Sequence, residues 1–458
     1  MKIKKLLLAL VVAAVFSCTM APKYKKPEAP VPFTSEQNAA KKKIAMISWS
    51  EYFQSPDLQR VIKLALENNQ DLKVANLNIE VAQGTYGVAR SNILPTVSAV
   101  GLETRQGVPK AFSVFTPKKL YRANLTLTSY ELDFFGRLRS LKEVAMENFL
   151  ATEEARNITK ITVIAETANA YSQLLLDRQI LEINQKNLQA QSDRYSFTEI
   201  RYKNGIDSKD TLMTAQGIVE SARVNVEIYK KLVEQDKNAL MALTGVFDER
   251  SLPQDSTIND IKINEDLLDS VPSESLLLRP DIKQAEHNLK SANADIGAAR
   301  AAFFPSITLT GTYGYGSRSF GALFDSQSWV FTPQINLPIF SGGRNKANLD
   351  ISNARKKIQI LQYEKAIQTA FREASDQLAE RQSLTNQLDS YNKILQASQE
   401  SEKIYDKRRA QGLSSGLEVL DSKINLLTAT QNQASTKKEY LANLITLYKV
   451  LGGGSELE

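Results

Sequence analysis

The sequence contains a single cysteine, Cys18, and its position predicts the attachment of lipid. Three lysines within the first five residues precede an apolar stretch over 6–16, which has the charge pattern and length of a secretory signal peptide. A lone cysteine directly after such a stretch is typical of a lipoprotein signal. We therefore predict that 1–17 is removed and that Cys18 carries N-acyl and S-diacylglycerol groups, with no other cofactor. The alternative is an ordinary signal peptide followed by an unpaired cysteine.

Other residue types that usually carry chemistry are scarce in this chain. His287 is the only histidine, and a zinc or copper site of ordinary composition needs several His or Cys ligands. The glycines of 311–316 lie in a predicted strand and lack the Gly-Lys-Ser/Thr of a phosphate-binding loop. We predict that His287 is a packing or surface residue, that no metal site is present within a chain, and that the protein is not an enzyme.

The charge balance argues against a nucleic-acid partner. The formal net charge is +6, and removing the three lysines of the leader lowers it to +3. Acidic and basic residues are interspersed, whereas nucleic-acid-binding proteins carry a strongly basic face. After the leader there is no apolar run of 18 residues, so a transmembrane helix is not predicted. If the chain crosses a membrane, it must do so as strands.

The elements that position these residues occur twice in the chain. Ala89-Arg-Ser-Asn-Ile-Leu-Pro95 corresponds to Ala299-Arg-Ala-Ala-Phe-Phe-Pro305, and further matches follow about 207 residues apart. A period of this length is too long for a solenoid repeat and indicates a duplicated unit of domain size.

Each unit contains a very long segment without glycine or proline. These segments are 137–204 and 344–411, and each would form a helix of about 100 Å at 1.5 Å per residue. Apolar residues recur at alternating steps of three and four, which predicts packing along a supercoiled seam. Gly205 and Gly412 follow these segments and predict a helix stop, after which a return helix begins.

Two strands are predicted in each unit, within 96–134 and 306–340. The stretch 306–315 alternates Ile, Leu, Gly and Tyr with Ser and Thr, as expected for a strand with one apolar face. A half-buried hairpin of a soluble protein has the same alternation, but the export signal and the absence of a membrane helix favour a membrane barrel. Four strands cannot close a barrel, so we expect the chain to assemble as a dimer or a trimer.

In these features the chain resembles the TolC-like outer membrane factors, particularly their OprM/CusC/NodT-type efflux lipoproteins. The resemblance extends from Cys18 to about residue 453, and its motifs include Phe340-Ser-Gly-Gly-Arg344 and Gly412-Leu-Ser-Ser-Gly-Leu-Glu418-Val-Leu-Asp421. It implies a mainly α fold that trimerises into a 12-stranded membrane β-barrel and a 12-helix periplasmic α-barrel. It also implies an exit duct in the outer membrane, with a periplasmic adaptor (membrane fusion protein) and an inner-membrane pump, of the RND type, as partners.

Two acidic residues near the second turn are candidates for a gate. Glu418 and Asp421 are three residues apart and therefore share one helix face, whereas the equivalent residues of the first unit are Thr211 and Thr214. The family carries aspartates at the closed periplasmic entrance, so the resemblance implies a gate here. The alternative is that the acids only stabilise the start of a helix. The turn residues predicted to contact the adaptor are Arg201, Tyr202, Gly205, Arg409 and Gly412.

The predicted function is that of an efflux duct. The alternatives are a duct for type I protein secretion and a periplasmic coiled-coil scaffold lipoprotein.

The predicted domain limits follow from the features described above. The predicted segments are the signal peptide 1–17, a lipid-anchored extended tether 18–48, repeat 1 over 49–245, an inter-repeat link 246–278, repeat 2 over 279–453 with its return helix at 417–451, and a tail 454–458.

Overall fold

The computed structural model describes residues 19–30, 47–107, 109, 118–268 and 273–455. The predicted signal peptide 1–17 and the predicted lipid-attachment residue Cys18 lie outside the described residues, as does 31–46 of the predicted tether.

Long α-helices and one β-sheet make up most of the described chain. Among the described residues, no helix is both long enough and apolar enough to span a membrane. Several short 3-10 helices lie in the link between the repeats. In chain order, the elements are α1 (Trp49–Tyr52), α2 (Pro56–Asn68), α3 (Gln70–Ser91), β1 (Val97–Arg105), β2 (Lys119–Leu132), α4 (Arg137–Lys203), α5 (Lys209–Thr244), α6 (Pro280–Ala301), β3 (Ser306–Ser317), β4 (Gln327–Asn336), α7 (Arg344–Ala410) and α8 (Gly416–Val450).

The two longest helices are α4 and α7, each of 67 residues. Each ends one residue before the predicted limit. Gly205 and Gly412 follow with φ of +74° and +72°, a left-handed conformation that glycine adopts without steric cost. The shorter helix α6, which precedes the strands of repeat 2, ends at Ala301, and the residues after it form a turn that leads to Pro305.

The chain divides into two compact units. The first contains 78–153 and 284–365, and it holds the β-sheet together with the described part of 19–28. The second contains the described part of 29–77, 154–283 and 366–455, and it holds a large hydrophobic core.

The β-sheet of the first unit has four antiparallel strands in the order β1-β2-β3-β4. The pairing of β2 with β3 shifts between Leu127 and Tyr130, where Ser129 has a positive φ of 46°. This β-bulge inserts one extra residue, which returns Tyr130 and Leu132 to the face that carries Leu127. The apolar face of β2 therefore continues past the irregularity.

The segment 19–28 is extended, as predicted for a tether, but it packs against α6 within the first unit. Asn293 Nδ2 donates a hydrogen bond of 2.8 Å to the carbonyl oxygen of Pro22, and Lys26 Nζ lies 2.7 Å from Glu286 Oε2. A Cβ on Gly297 would lie 2.7 Å from the backbone nitrogen of Ala21. The chain directly after Cys18 thus packs at a defined position on a helix of repeat 2.

The core of the second unit joins the start of the chain to the link between the repeats. The backbone nitrogen of Gln54 donates to the carbonyl oxygen of Lys262 at 2.9 Å. Tyr52 is fully buried, stacks on Tyr448 with 4.8 Å between ring centroids, and donates its hydroxyl to the carbonyl oxygen of Leu444. The hydroxyl is thereby satisfied inside an apolar cluster, as a buried tyrosine requires.

Candidate functional site

One face of the β-sheet is apolar across all four strands. Cross-strand partners face the same side, so Leu125, Tyr313 and Trp329 form a continuous row over β2, β3 and β4. Trp329 is 72 % exposed and Phe331 is 55 % exposed. The opposite face carries a polar row of Thr126, Thr308, Thr310, Thr312 and Thr332. Large aromatic side chains on an exposed face indicate contact with an apolar medium rather than with water.

The turn after α4 carries three of the predicted contact residues, Arg201, Tyr202 and Gly205. The backbone nitrogens of Gly205 and Ile206 donate to the carbonyl oxygens of Tyr202 and Arg201, each at 2.9 Å, which closes the end of the helix. The Arg201 guanidinium makes two bonds to Asp207, at 2.8 and 2.9 Å. These bonds hold the pKa of the Asp207 carboxyl below its usual value.

The turn after α7 has the same backbone but different side chains. The nitrogens of Gly412 and Leu413 donate to the carbonyl oxygens of Arg409 and Arg408, at 3.0 and 2.8 Å. Ser414 occupies the position of Asp207, so a carboxylate is missing from this turn. The Arg409 guanidinium instead lies against Gly416, where an added Cβ would contact Nη1.

Glu418, a predicted gate residue, takes part in the N-terminal cap of α8. Its Oε2 accepts hydrogen bonds from the backbone nitrogen and the hydroxyl of Ser415, at 2.7 and 3.0 Å. The backbone nitrogen of Glu418 donates to Ser415 Oγ at 3.3 Å, which completes a capping box. The hydrogen bond from the Ser415 backbone is the main cause of a lowered Glu418 pKa.

Asp421, the second predicted gate residue, contacts the long helix of the other repeat. Its Oδ1 lies 2.7 Å from Nη1 of Arg194 on α4, and both side chains are partly exposed. We call Arg194 and Asp421 the entrance pair. Because Arg194 belongs to repeat 1 and Asp421 to repeat 2, this ion pair joins helices that are far apart in the sequence.

The structure therefore separates the roles of the two predicted acids and adds residues that sequence reasoning missed. Arg194 is 227 residues from Asp421, so no local spacing indicates their contact. Asp207 could have been found, because it follows Arg201 by six residues across the glycine turn. The interpretation of both acids as a gate stays a prediction.

His287 lies in the first unit and has a structural partner. Its Nδ1 is 2.6 Å from Oε2 of Glu147, a largely buried residue of α4. This contact joins α6 to the start of the long helix, which agrees with the predicted packing role.

A duplicated pair of 67-residue helices, an exposed apolar sheet face and charged turns at the helix ends define the protomer of an outer-membrane channel. The chain belongs to the outer membrane efflux protein family, whose characteristic sequence it matches over residues 61–246 and 271–453. This membership confirms the predicted fold class, the predicted function as an outer-membrane exit duct and the predicted location. Because members are channels, it also confirms that the protein is not an enzyme.

Named relatives are similar over almost their whole length. The antibiotic efflux pump outer membrane protein ArpC of Pseudomonas putida is 40% identical, with 98% of this chain and 96% of that protein covered. The toluene efflux pump outer membrane protein TtgC of Pseudomonas putida gives the same values. The solved open state of the Neisseria gonorrhoeae MtrE outer membrane channel is 36% identical with a TM-score of 0.83, covering 96% of this chain and 99% of that one.

Proposed function

We propose that three copies of the chain form one duct, in which the four-stranded sheets join into a 12-stranded barrel. Among the described strands, β1 and β4 each pair with a single neighbour, so each sheet has two open edges. Open edges in a bilayer leave backbone groups without hydrogen bonds, which is costly, and closure with further copies removes them. Light scattering of the detergent-purified protein should give the mass of three chains. A stable monomer that stays soluble without detergent would contradict the proposal.

The apolar sheet face is the surface that contacts lipid in this proposal. Phe331 and Thr332 are neighbours in β4 and point to opposite faces, so they form a matched pair for a test. An arginine on the lipid face near the middle of a bilayer costs about 2–4 kcal/mol, whereas an arginine facing the lumen is tolerated. Phe331→Arg should therefore reduce assembled protein in outer-membrane fractions strongly, and Thr332→Arg only slightly. Equal yields of the two variants would exclude this orientation.

The partners of the duct are a periplasmic adaptor and an inner-membrane pump, which we assign to the RND type. The relatives ArpC and TtgC are named as outer membrane proteins of efflux pumps, which supports a pump as a partner. The turns that carry Arg201, Tyr202 and Gly205, and Arg409 and Gly412, are the surfaces that would meet the adaptor. Cross-linking from these turns in cells should capture the adaptor encoded with the pump.

The cargo is set by the pump rather than by this chain. Two relatives with the same identity to the chain are named for antibiotics and for toluene, so similarity in the duct does not separate these cargoes.

Lipid on Cys18 anchors the chain in addition to the barrel. The mass of the membrane-extracted protein should show the loss of 1–17 and the addition of acyl chains, and an unmodified Cys18 would contradict this.

The entrance pair controls a gate at the helix ends. In a trimer, Glu418 and Asp421 give two rings of three carboxylates, which attract cations and exclude anions. Arg194 neutralises part of this charge and ties α4 to α8 in each chain. Arg194→Ala should release Asp421 and increase both the cation selectivity and the time spent open in planar bilayers. Lys186→Ala is the matched control, because it removes only an exposed pair with Glu182 on the same helix. Identical effects of the two variants would contradict the role of Arg194.

A further inference from the structure

A pair of carboxyl groups lies between the long helix and the return helix of repeat 1. Asp177 of α4 is 5 % exposed, and Asp236 of α5 lies within hydrogen-bonding reach of it. We call these two residues the carboxyl pair. Leu174 and Ile180 flank Asp177 on α4, and Val233 and Leu240 flank Asp236 on α5; all four belong to the hydrophobic core of the second unit. The carboxyl pair is thus set in an apolar seam.

The hydrogen bonding of this pair is incomplete without a proton. Oδ2 of Asp236 is buried and has no hydrogen-bond donor among the described residues. Two ionised carboxylates are both acceptors only, so neither can donate to the other. If one carboxyl is protonated, its hydroxyl donates to the other, and the buried oxygen is satisfied. The negative charge of Asp177 also opposes the ionisation of Asp236.

The charged and titratable residues around the carboxyl pair do not remove the need for a shared proton. Burial is the main cause of the raised pKa of Asp236, followed by the hydrogen bond and the charge of Asp177, and the value reaches about 7. Lys438 of α8 acts in the opposite direction but more weakly. Tyr229 lies about two helical turns before Asp236 on α5. Burial and the charge of Asp177 raise the pKa of Tyr229. Among these neighbours, Asp236 is the residue whose pKa is raised to about 7.

We propose that Asp177 and Asp236 share one proton and that this proton is a pH-sensitive link between α4 and α5. Below neutrality the link is closed and the two helices are joined across their seam. Above neutrality the second carboxyl ionises, the two charges repel each other, and the helices separate locally. The periplasmic helix pair of repeat 1 therefore responds to the acidity of its compartment.

At the matching helix positions, repeat 2 has no carboxyl group that could bind a proton. Leu384 stands at the position of Asp177 and Asn443 at that of Asp236, and both are buried. The Asn443 amide donates to the backbone and side-chain oxygens of Gln377, at 2.9 and 3.0 Å. An amide donates at every ordinary pH, so the return helix of repeat 2 is held without titration. The link is therefore a property of repeat 1 alone.

The sign of the effect on stability follows from proton binding. Between the ordinary pKa of an aspartate and about 7, the folded protein binds one proton more than the unfolded chain, so stability falls as the pH rises through this range. In Asp236→Asn, the amide donates to Asp177 at every pH. The variant should match the wild type at about pH 5 and exceed it at about pH 8, with the pH-dependent shift of the unfolding midpoint reduced by at least half.

The experiment uses the full detergent-solubilised chain and two readouts. Infrared spectra of the wild type should show a protonated carboxylic-acid band that disappears around neutral pH, and Asp236→Asn should lack this band. Asp193→Asn, at an exposed site of α4, is the control and should behave as the wild type. The double variant Asp177→Leu, Asp236→Asn reproduces the residues of repeat 2 and should fold without the pH dependence. Absence of the band in the wild type, or an unchanged midpoint shift in Asp236→Asn, would overturn the proposal.

Discussion

Repeat 1 and repeat 2 use the same turns but place different side chains on them. Both long helices stop at a glycine with positive φ, and both return helices begin with a serine cap, at Ser208 and Ser415. The charges differ: repeat 1 has the Arg201–Asp207 pair, and repeat 2 has Glu418 and Asp421. The comparison teaches that duplication preserved the backbone features that stop and start helices, while the surface charges diverged. In a trimer, alternate helices of the duct would then carry different chemistry.

The short helices before the strands give the largest expected difference between the repeats. Gly297 on α6 faces Ala21 and Ser140, whereas Gly87 at the matching position on α3 has nothing within 4 Å of an added Cβ. Gly297→Ala should overpack this site and destabilise the docked tether by about 1–3 kcal/mol. Protease cleavage within 19–28 should become faster, and the unfolding midpoint should fall. Gly87→Ala is the control and should be neutral or slightly stabilising, because nothing crowds the added methyl group and alanine favours a helix. Equal effects of Gly297→Ala and Gly87→Ala would contradict the docking of 19–28 on α6.

The serine caps of the return helices should give an intermediate effect. Replacing an N-cap serine by alanine typically costs about 1 kcal/mol, because a backbone donor of the first turn loses its acceptor. Ser208→Ala should show this loss, since Ser208 Oγ accepts from the backbone nitrogen of Thr211 at 3.1 Å. Ser415→Ala should cost more, because it also removes the charge-assisted hydrogen bond from the Ser415 hydroxyl to Oε2 of Glu418. Chemical denaturation measures both variants, and a smaller loss for Ser415→Ala would contradict the capping role of Glu418.

The exposed Arg201–Asp207 pair should give the smallest effect. The folded-state pKa of Asp207 is lowered by the hydrogen bond from Arg201, so the stabilisation is present above the unfolded-state pKa and is lost as the pH falls through the folded-state value. Arg201→Ala should therefore lower the unfolding midpoint slightly at neutral pH and not in strong acid. Added salt should reduce the difference, since exposed pairs are screened. Arg408→Ala is the matched change in repeat 2, where Ser414 replaces the carboxylate. A larger loss for Arg408→Ala than for Arg201→Ala would contradict the stabilising role of the Arg201–Asp207 pair.

The sequence was sufficient for the features that depend on local patterns. Helix stops at Gly205 and Gly412 follow from the conformational freedom of glycine, and the two faces of β3 follow from the period of two in a strand. The bulge at Ser129 was not predicted, because a shift in pairing depends on the neighbouring strand and leaves no strong local signal. Contacts between distant residues were also missed. Arg194 with Asp421, and Asp177 with Asp236, depend on how helices pack, and the carboxyl pair joins residues of two different helices.

Sequence reasoning treated Glu418 and Asp421 as one gate, and the structure gives them different partners. The capping role of Glu418 could have been read from Ser415 followed by a glutamate three residues later. The tether was predicted only as an extended segment, and the structure adds that Gly297 leaves room for Ala21 on α6. A glycine in a helix has several explanations, so the sequence alone could not identify this contact.

Single-channel recording in planar bilayers tests most directly the claim that the chain forms a duct whose entrance charge lies on repeat 2. The wild type should conduct, prefer cations and be blocked by divalent or trivalent cations added from the side of the helix ends. The double variant Glu418→Gln, Asp421→Asn should conduct without the preference or the block. Thr214→Asn, at the matching position of repeat 1, should keep both. Absence of channels, or a block that the double variant retains, would contradict the account.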